Sequence, residues 1–357
     1  MSQAYQIHVL DPSHSHTSPT LLNNLSLTTL PIPVPGPGEV LVRIRAAALN
    51  YRDILVVADS PLYTARTSAG LTPCADGAGT IEAVGPNSTW SDSIGEGVLL
   101  VNNTDWIDGD VEVYKVHHTL GCGGVQGTLR QYAVVNDEFV IRKPKNLGFE
   151  EAAAMVSAGG TAMNALLAGG VGPGKTVLTQ GTGGVSCSAI LYAAAMGARV
   201  IATSSSDEKL GTAKKLGASE VINYKTTPEW SIEALALTDQ RGVDVVIDVA
   251  GAQTVEQSLR ATRQGGTVVM IGFLTESKPS DLVPLLLFGA KTSRTEAEII
   301  AVKGILGNSK VMLEQAVALT EEYDLHPEIN VFAWADAKKA FEALRAQNGV
   351  GKIVILV

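Results

Sequence analysis

The order of apolar and polar positions divides the chain into two regimes. Up to about residue 140, apolar residues run in short stretches punctuated by glycine and proline. Glu39–Ala47 alternates Val40, Val42 and Ile44 against Leu41, Arg43 and Arg45, the period-two pattern of a half-exposed antiparallel strand. The rigid run PIPVPGPG at Pro31–Gly38 leads into it. Thr80–Val84, Gly95–Val101 and Gly127–Val135 read as further strands closed by glycine turns. Residues 1–140 therefore predict a small β-barrel-like domain. Residues 1–30 are weakly patterned, with a loop expected over 11–20, where His14 and His16 read as parts of a solvated turn.

After Pro144 the period changes. Phe149–Ala168 is Ala-rich and helical. Strands are then expected at Thr176–Gln180, Arg199–Thr203, Glu220–Asn223, Val243–Val249 and Thr267–Gly272, with helices near 186–196, 207–216, 229–236 and 254–263. That alternation predicts a parallel, doubly wound sheet with helices on both faces and a ligand at the carboxyl ends of the strands. Residues 310–320 and 335–346 are amphipathic helices, and Ile353–Val357 is a last strand. This C-terminal piece is expected to pack back on the first domain.

The glycine run Gly181-Thr182-Gly183-Gly184-Val185-Ser186 sits between a predicted strand and helix. In that context a glycine turn lets backbone N–H groups approach a pyrophosphate, and the helix N-terminus adds the positive end of its dipole. Ser186 stands where the pattern prefers Gly or Ala, which predicts slightly looser helix–strand packing. The second strand ends in Thr203-Ser204-Ser205-Ser206 rather than in Asp or Glu. Small hydroxyls followed by Lys209 suit a ribose 2′-phosphate and so NADPH, whereas an acid there would select NADH. Asp207 reads as the N-cap of the next helix.

Composition narrows the partners. The chain has 357 residues, enough for two domains, and a net charge of −9. A large basic surface for nucleic acid is not expected. Three cysteines, Cys74, Cys122 and Cys187, form no CxxC pair and read as free thiols in a reducing compartment. The N-terminus does not read as a secretory signal, and the apolar run Leu282–Ala290 is too short to span a membrane.

The segments PVPGPGEVLVRIRAAALNYRD, DGAGTIEAVG, GTLRQYAVV, EAAAMVSAGGTAMNAL, VLTQGTGGVS, RVIATSSSDEKLGTAKKLGASEVINY, RGVDVVIDVAG, GGTVVMIGF and the terminal GKIVI resemble the medium-chain dehydrogenase/reductase superfamily, in its zinc-independent quinone-oxidoreductase-like branch. The resemblance implies an α/β architecture: a GroES-like β-barrel catalytic domain over 1–145 and 306–357, and a Rossmann NADPH-binding domain over 146–305. It also implies a homodimer acting on a small molecule, and the reducing compartment read from the cysteines makes a cytoplasmic location the expectation. Zinc alcohol dehydrogenases of the superfamily place Cys where this chain has Asn50, His-Glu where it has Ala75-Asp76, and Cys near Ser157. No tetrahedral thiolate–imidazole set can be drawn from those positions, so no metal is expected.

The resemblance further assigns Lys209 and Tyr224 to the cofactor phosphate, and places Asn50, Asp53 and Tyr63 along the nicotinamide pocket. Tyr51 and Arg52 stand beside them as candidate donors to a substrate carbonyl, and a brace role for Asp53, paired with Arg52, is an equal alternative. Thr161 is expected to border the nicotinamide, with Gly272 and Phe273 flanking the ring. Cys74 occupies a position that relatives give to glycine and reads as a packed thiol. Residues 289–300 look like an insertion. The expected activity is hydride transfer to a quinone or a conjugated enone. A metal-free alcohol/ketone oxidoreductase, and a non-redox NADPH-binding protein or isomerase, are the alternatives.

Overall fold

The computed structural model describes residues 1–8, 15–63, 65–271 and 300–357. The expected positions Gly272 and Phe273, and the 289–299 part of the expected insertion, lie outside the described residues, as does His14. Two compact units divide the chain, one of residues 1–160 with 308–357 and one of residues 161–307.

The first unit opens with a hairpin of β1 (Ser2–Ile7) and β2 (Leu25–Leu30). β3 (Glu39–Leu49) pairs antiparallel with β4 (Asp76–Val84), and the helix α1 (Tyr51–Val57) lies between them in the chain. β5 (Gly97–Leu100), β6 (Tyr132–Asn136) and β7 (Val140–Arg142) complete its first half. The alternation read in β3 is realised on one face: Val40, Val42 and Ile44 are buried with Ile81, Val98, Leu100 and Val140. Its second half is buried throughout, because Ala46, Ala47, Ala48 and Leu49 run under other elements. α2 (Phe149–Ala154) follows and packs on β3 and β4. The expected boundary at 145/146 therefore moves to 160/161, since this helix covers the β-sheet of the first unit.

α2 continues through a π turn, Met155–Gly159, into α3 (Gly160–Gly169). By length and apolarity this 21-residue run could cross a membrane, but 78% of its apolar 18-residue stretch is buried within the fold. The second unit is then built from β8 (Thr176–Gln180), α4 (Gly184–Ala195), β9 (Arg199–Ser204), α5 (Asp207–Lys215), β10 (Glu220–Asn223), α6 (Trp230–Ala236), β11 (Val243–Asp248), α7 (Val255–Ala261), β12 (Thr262–Met270) and β13 (Ala301–Gly304). All six strands are parallel, in the order β10-β9-β8-β11-β12-β13. The order reverses between β8 and β11, which is the switch point of a Rossmann sheet. Leu178, Ile201, Val246 and Val268 fill its core with Trp230 and Leu259 from the covering helices. At the amino ends of β8 and β11 the buried Asp244 gathers Arg241 (2.9 Å), Arg263 (2.6 Å) and the Thr176 N–H (2.9 Å).

The chain then returns to the first unit with α8 (Lys310–Glu322), β14 (Ile329–Phe332), α9 (Ala337–Ala346) and β15 (Lys352–Leu356). β15 enters between β14 and β3, so the sheet runs β14-β15-β3-β4-β5-β7 with β6 on β3. α9 places Ala337, Ala340, Phe341 and Leu344 on one stripe, and these pack with Ile353 and Ile355 of β15. Burial of Phe341 is worth about 2–3 kcal/mol in removed apolar surface. The result is a Rossmann α/β unit together with a GroES-like β unit made from both ends of the chain.

Candidate active site

In the second unit the strand–turn–helix at β8 and α4 has the form of a phosphate cradle. Gly181 adopts φ +73°, a left-handed conformation, and its N–H donates to the Thr203 carbonyl at 2.8 Å. Gly183 caps α4 in extended conformation, and a Cβ built there meets no atom within 4 Å. The backbone is thus bare where an anion would approach, at the N-terminus of a 12-residue helix. Gly184 and Val185 form its half-buried first turn. Ser186 does not loosen the packing: it is buried and its hydroxyl donates to the Gln180 carbonyl at 2.7 Å, lacing the helix to β8.

The two expected phosphate hydroxyls separate. Ser204 is buried, and its Oγ lies 3.0 Å from Thr182 Oγ1, tying the glycine turn to the end of β9. Ser205 is half-buried and lies just beyond that strand end. The cap of α5 is Ser206 rather than Asp207; its hydroxyl accepts the Lys209 N–H at 3.4 Å. Asp207 is the first helical residue, and its carboxylate accepts from Asn223 Nδ2 at 2.8 Å. Tyr224 follows β10 with its N–H on the Ser204 carbonyl (3.0 Å) and its ring exposed. Ser204 and Tyr224 thus adjoin at the ends of β9 and β10, with Ser205 next in the chain and Lys209 in the first turn of α5. Thr161 is buried in the first turn of α3.

One residue at the switch point escaped sequence reasoning. Asp248, fully buried at the end of β11, accepts from Gln180 Nε2 (3.1 Å), Ser258 Oγ (2.7 Å) and the Gly251 N–H (2.8 Å). It joins the carboxyl ends of β8 and β11. The available signal was an acid closing the otherwise apolar run VVID before Val-Ala-Gly.

In the first unit, Asn50 ends β3 and caps α1. Its N–H donates to Asp53 Oδ2 at 2.7 Å. Burial pushes the Asp53 carboxyl up from its ordinary value, with Arg52 pulling the other way at 3.6 Å from Oδ1. Arg52 is engaged within the fold: it donates to the Leu120 carbonyl and to Tyr63 Oη (3.2 Å). These contacts match the bracing alternative for the Arg52–Asp53 pair. Tyr63 lies under it, half-buried, with its phenol pushed up by burial. Tyr51 packs against the apolar core beside them. Cys74 is fully buried at φ +75°, and burial raises its thiol, which makes it a packed group rather than a nucleophile.

Beneath Asn50 runs a buried polar chain. Lys352, at the start of β15, is 6% exposed. Its ammonium donates to the Leu49 carbonyl (2.6 Å) and Asn50 Oδ1 (2.6 Å), and pairs with Asp76 Oδ2 at 3.0 Å. Asp76 Oδ1 accepts from the Ser157 hydroxyl on the π turn, and Ser157 Oγ accepts from Asn102 Nδ2 at 2.9 Å. Asn50, Ala75-Asp76 and Ser157 are the positions compared above with zinc ligands, and here the Lys352 ammonium is ion-paired with the Asp76 carboxylate. Among the described residues no three His, Cys, Asp or Glu side chains converge as a metal set. The donors present do not fit tetrahedral zinc.

Comparison with known proteins places this geometry in a family. Residues 36–145 match the alcohol dehydrogenase GroES-like domain, and residues 184–322 match the zinc-binding dehydrogenase domain. The chain is 39% identical over 324 residues to a zinc-type alcohol dehydrogenase-like protein of Schizosaccharomyces pombe, covering 89% of this chain and 91% of the relative. Among solved structures it is similar to an NAD-dependent alcohol dehydrogenase, with TM-score 0.85, 31% identity and 99% of each chain covered. It is also similar to a quinone oxidoreductase of Pseudomonas syringae pv. tomato, with TM-score 0.78, 26% identity and both chains fully covered. By these matches, and by the Rossmann cradle and GroES-like unit described above, the chain belongs to the medium-chain dehydrogenase/reductase superfamily and is an oxidoreductase.

Proposed function

We propose that the protein is an NADPH-dependent oxidoreductase that works without zinc and passes hydride to an activated acceptor, a quinone or an enone C=C. The observation that carries the reading is the Lys352 ammonium, bonded to Asn50 and Asp76 where a metal would need its ligands. The matched domain and the yeast relative carry zinc in their names, whereas the donor set of this chain does not suit it. Without a Lewis acid, hydrogen bonds must stabilise the charge that develops on oxygen, and a conjugated acceptor makes the least demand on them. Similarity to a quinone oxidoreductase supports the same acceptor class.

The cofactor would be held by the Gly181–Val185 turn, and its 2′-phosphate by Ser205, Lys209 and Tyr224. When bound it supplies hydride. Similarity to an alcohol dehydrogenase favours a second reading, a simple aldehyde or ketone as acceptor. The same proposal takes the protein as a cytoplasmic homodimer. Buried cysteines outside any disulfide suit a reducing compartment, and light scattering at twice 37.3 kDa tests the dimer. The activity is tested by following NADPH and NADH oxidation with a panel of enones, quinones and aldehydes, alongside metal analysis of the active protein. Turnover of enones or quinones with NADPH is expected; stoichiometric zinc, or a preference for NADH, refutes the reading.

A further inference from the structure

We propose that Asp248 is a positioning residue for the cofactor: through Gln180 it holds the glycine turn of the Rossmann unit in the shape that receives a pyrophosphate. The proposal rests on the cofactor reading above and adds to it a residue that acts without touching the cofactor.

Asp248 and Gln180 stand at the switch point itself. β8 and β11 are neighbouring parallel strands paired through Thr179 and Ile247, and Gln180 and Asp248 are the next residue of each. A ligand of such a sheet lies outside these carboxyl ends. Asp248 is fully buried, and uncharged donors from both strands fill its oxygens. On its own side, Oδ1 accepts the Ala250 N–H (3.1 Å), the Gly251 N–H (2.8 Å) and the Thr254 hydroxyl (2.9 Å). The turn after β11 thus folds around it, with Gly251 at φ +92°. Toward β8, Oδ2 accepts Gln180 Nε2 at 3.1 Å, and the Ser258 hydroxyl of α7 donates to it at 2.7 Å. Gln180 Nε2 also donates to Ser258 Oγ at 2.7 Å, so each N–H of that amide has an acceptor.

Burying a carboxylate is costly unless its oxygens are bonded, and an apolar side chain stabilises a strand end without that cost. The acid is accounted for by what it fastens, the residue before Gly181. The Gln180 carbonyl accepts the Ser186 hydroxyl at 2.7 Å, and Ser186 lies in the first turn of α4. Hydrogen bonds therefore run from Asp248 through Gln180 to the helix N-terminus whose backbone is bare at Gly183. NADPH and NADH share the pyrophosphate, so Asp248 serves both alike, whereas Lys209 is placed to tell them apart.

The full-length protein is tested as Asp248→Ala, which removes the anchor, as Gln180→Met, which cuts only its link to the turn, and as Asp248→Asn. The asparagine keeps an acceptor for the Ala250 and Gly251 N–H groups, and a rotated Gln180 amide can accept its new N–H and the Ser258 hydroxyl. Fluorescence titration should show NADPH and NADH both weakened about tenfold in Asp248→Ala and Gln180→Met, their ratio kept within about twofold, and recovery to within about threefold of wild type in Asp248→Asn. A lowered melting temperature with both Kd values unchanged, or weakening of one cofactor alone, overturns the proposal. Should Asp248→Ala not fold, Gln180→Met decides, since it leaves Asp248 the Ala250, Gly251, Thr254 and Ser258 donors. A second readout needs no cofactor. The Gly181 N–H bonds the Thr203 carbonyl and none of the substituted side chains. Its hydrogen exchange in Gln180→Met should quicken about tenfold relative to core amides of β8. An unchanged rate overturns the proposal. A wild-type protein that binds neither cofactor overturns the cofactor reading instead, and the Gly181 exchange rate still decides whether Asp248 anchors the turn.

Discussion

Lys209→Ala separates a phosphate contact from helix chemistry. The helix is insulated from the change, because its cap uses the Lys209 backbone N–H and the Ser206 hydroxyl, not the lysine side chain. No ion pair engages the ammonium among the described residues, and Lys209 is half-buried in the first turn of α5. Removing it therefore falls on the ligand. A charge-assisted hydrogen bond is worth about 1.5–3 kcal/mol. At 1.4 kcal/mol per tenfold that is roughly 10- to 150-fold in Kd. Partial exposure and salt screening over about 8 Å favour the lower end. Fluorescence titration at physiological salt should show NADPH binding weakened by about 10- to 30-fold and NADH binding unchanged. Equal weakening of both cofactors, or of neither, refutes the placement of the 2′-phosphate at Lys209.

Other outcomes follow from separate parts of the molecule. Ser205→Ala should weaken NADPH by a smaller factor, about two- to tenfold, since a neutral hydrogen bond is worth about 0.5–1.5 kcal/mol; the same titration measures it. Burial alone would raise the Asp244 carboxyl, but Arg241, the Thr176 N–H and Arg263 hold it well below the usual carboxylate range. Its stabilisation is therefore complete above the unfolded-state value near 3.9 and is lost as pH falls toward the lower folded value. Asp244→Asn should cost about 3 kcal/mol in denaturant melts at pH 7, and the gap should narrow by about 1.4 kcal/mol per pH unit below pH ~4. Gly160→Ala would set a Cβ 2.3 Å from the Asn308 carboxamide, which bonds Asn102; a loss of about 1–3 kcal/mol is expected in the same melts. All three cysteines are buried and none is in a disulfide, so a thiol reagent at neutral pH should titrate none in the folded protein and three after denaturation.

Much of the fold was legible because its signals are local. The strands and helices between Thr176 and Met270 follow the expected alternation closely, since a parallel strand buried on both faces must be apolar along its whole length. The glycine turn was legible for the same reason: its backbone geometry needs glycine at Gly181. The hairpin of β1 and β2 was not, because β2 buries only its first residue and its alternation is faint. The helix 149–154 was read as a helix but assigned to the wrong unit, as periodicity does not say which surface a helix covers. The polar chain under Asn50 was the least legible part. Lys352 stands 302 positions from Asn50, and only tertiary pairing of β15 with β3 brings them together. A lysine leading an apolar run was the lone hint, since a buried lysine requires partners.

The insertion of β15 between β14 and β3 has a consequence for synthesis. The Rossmann unit is continuous from 161 to 307, whereas the GroES-like unit cannot close its sheet until residues 352–356 emerge. At about 5–20 residues per second, the 50 residues after 307 take roughly 3–10 seconds to make. During that interval Asp76 and Asn50 lack Lys352, and the β3 edge that β15 will cover is open to pairing with other chains. β15, made well after the strand it pairs with, therefore both seals an aggregation-prone edge and delivers the cation that pairs with Asp76.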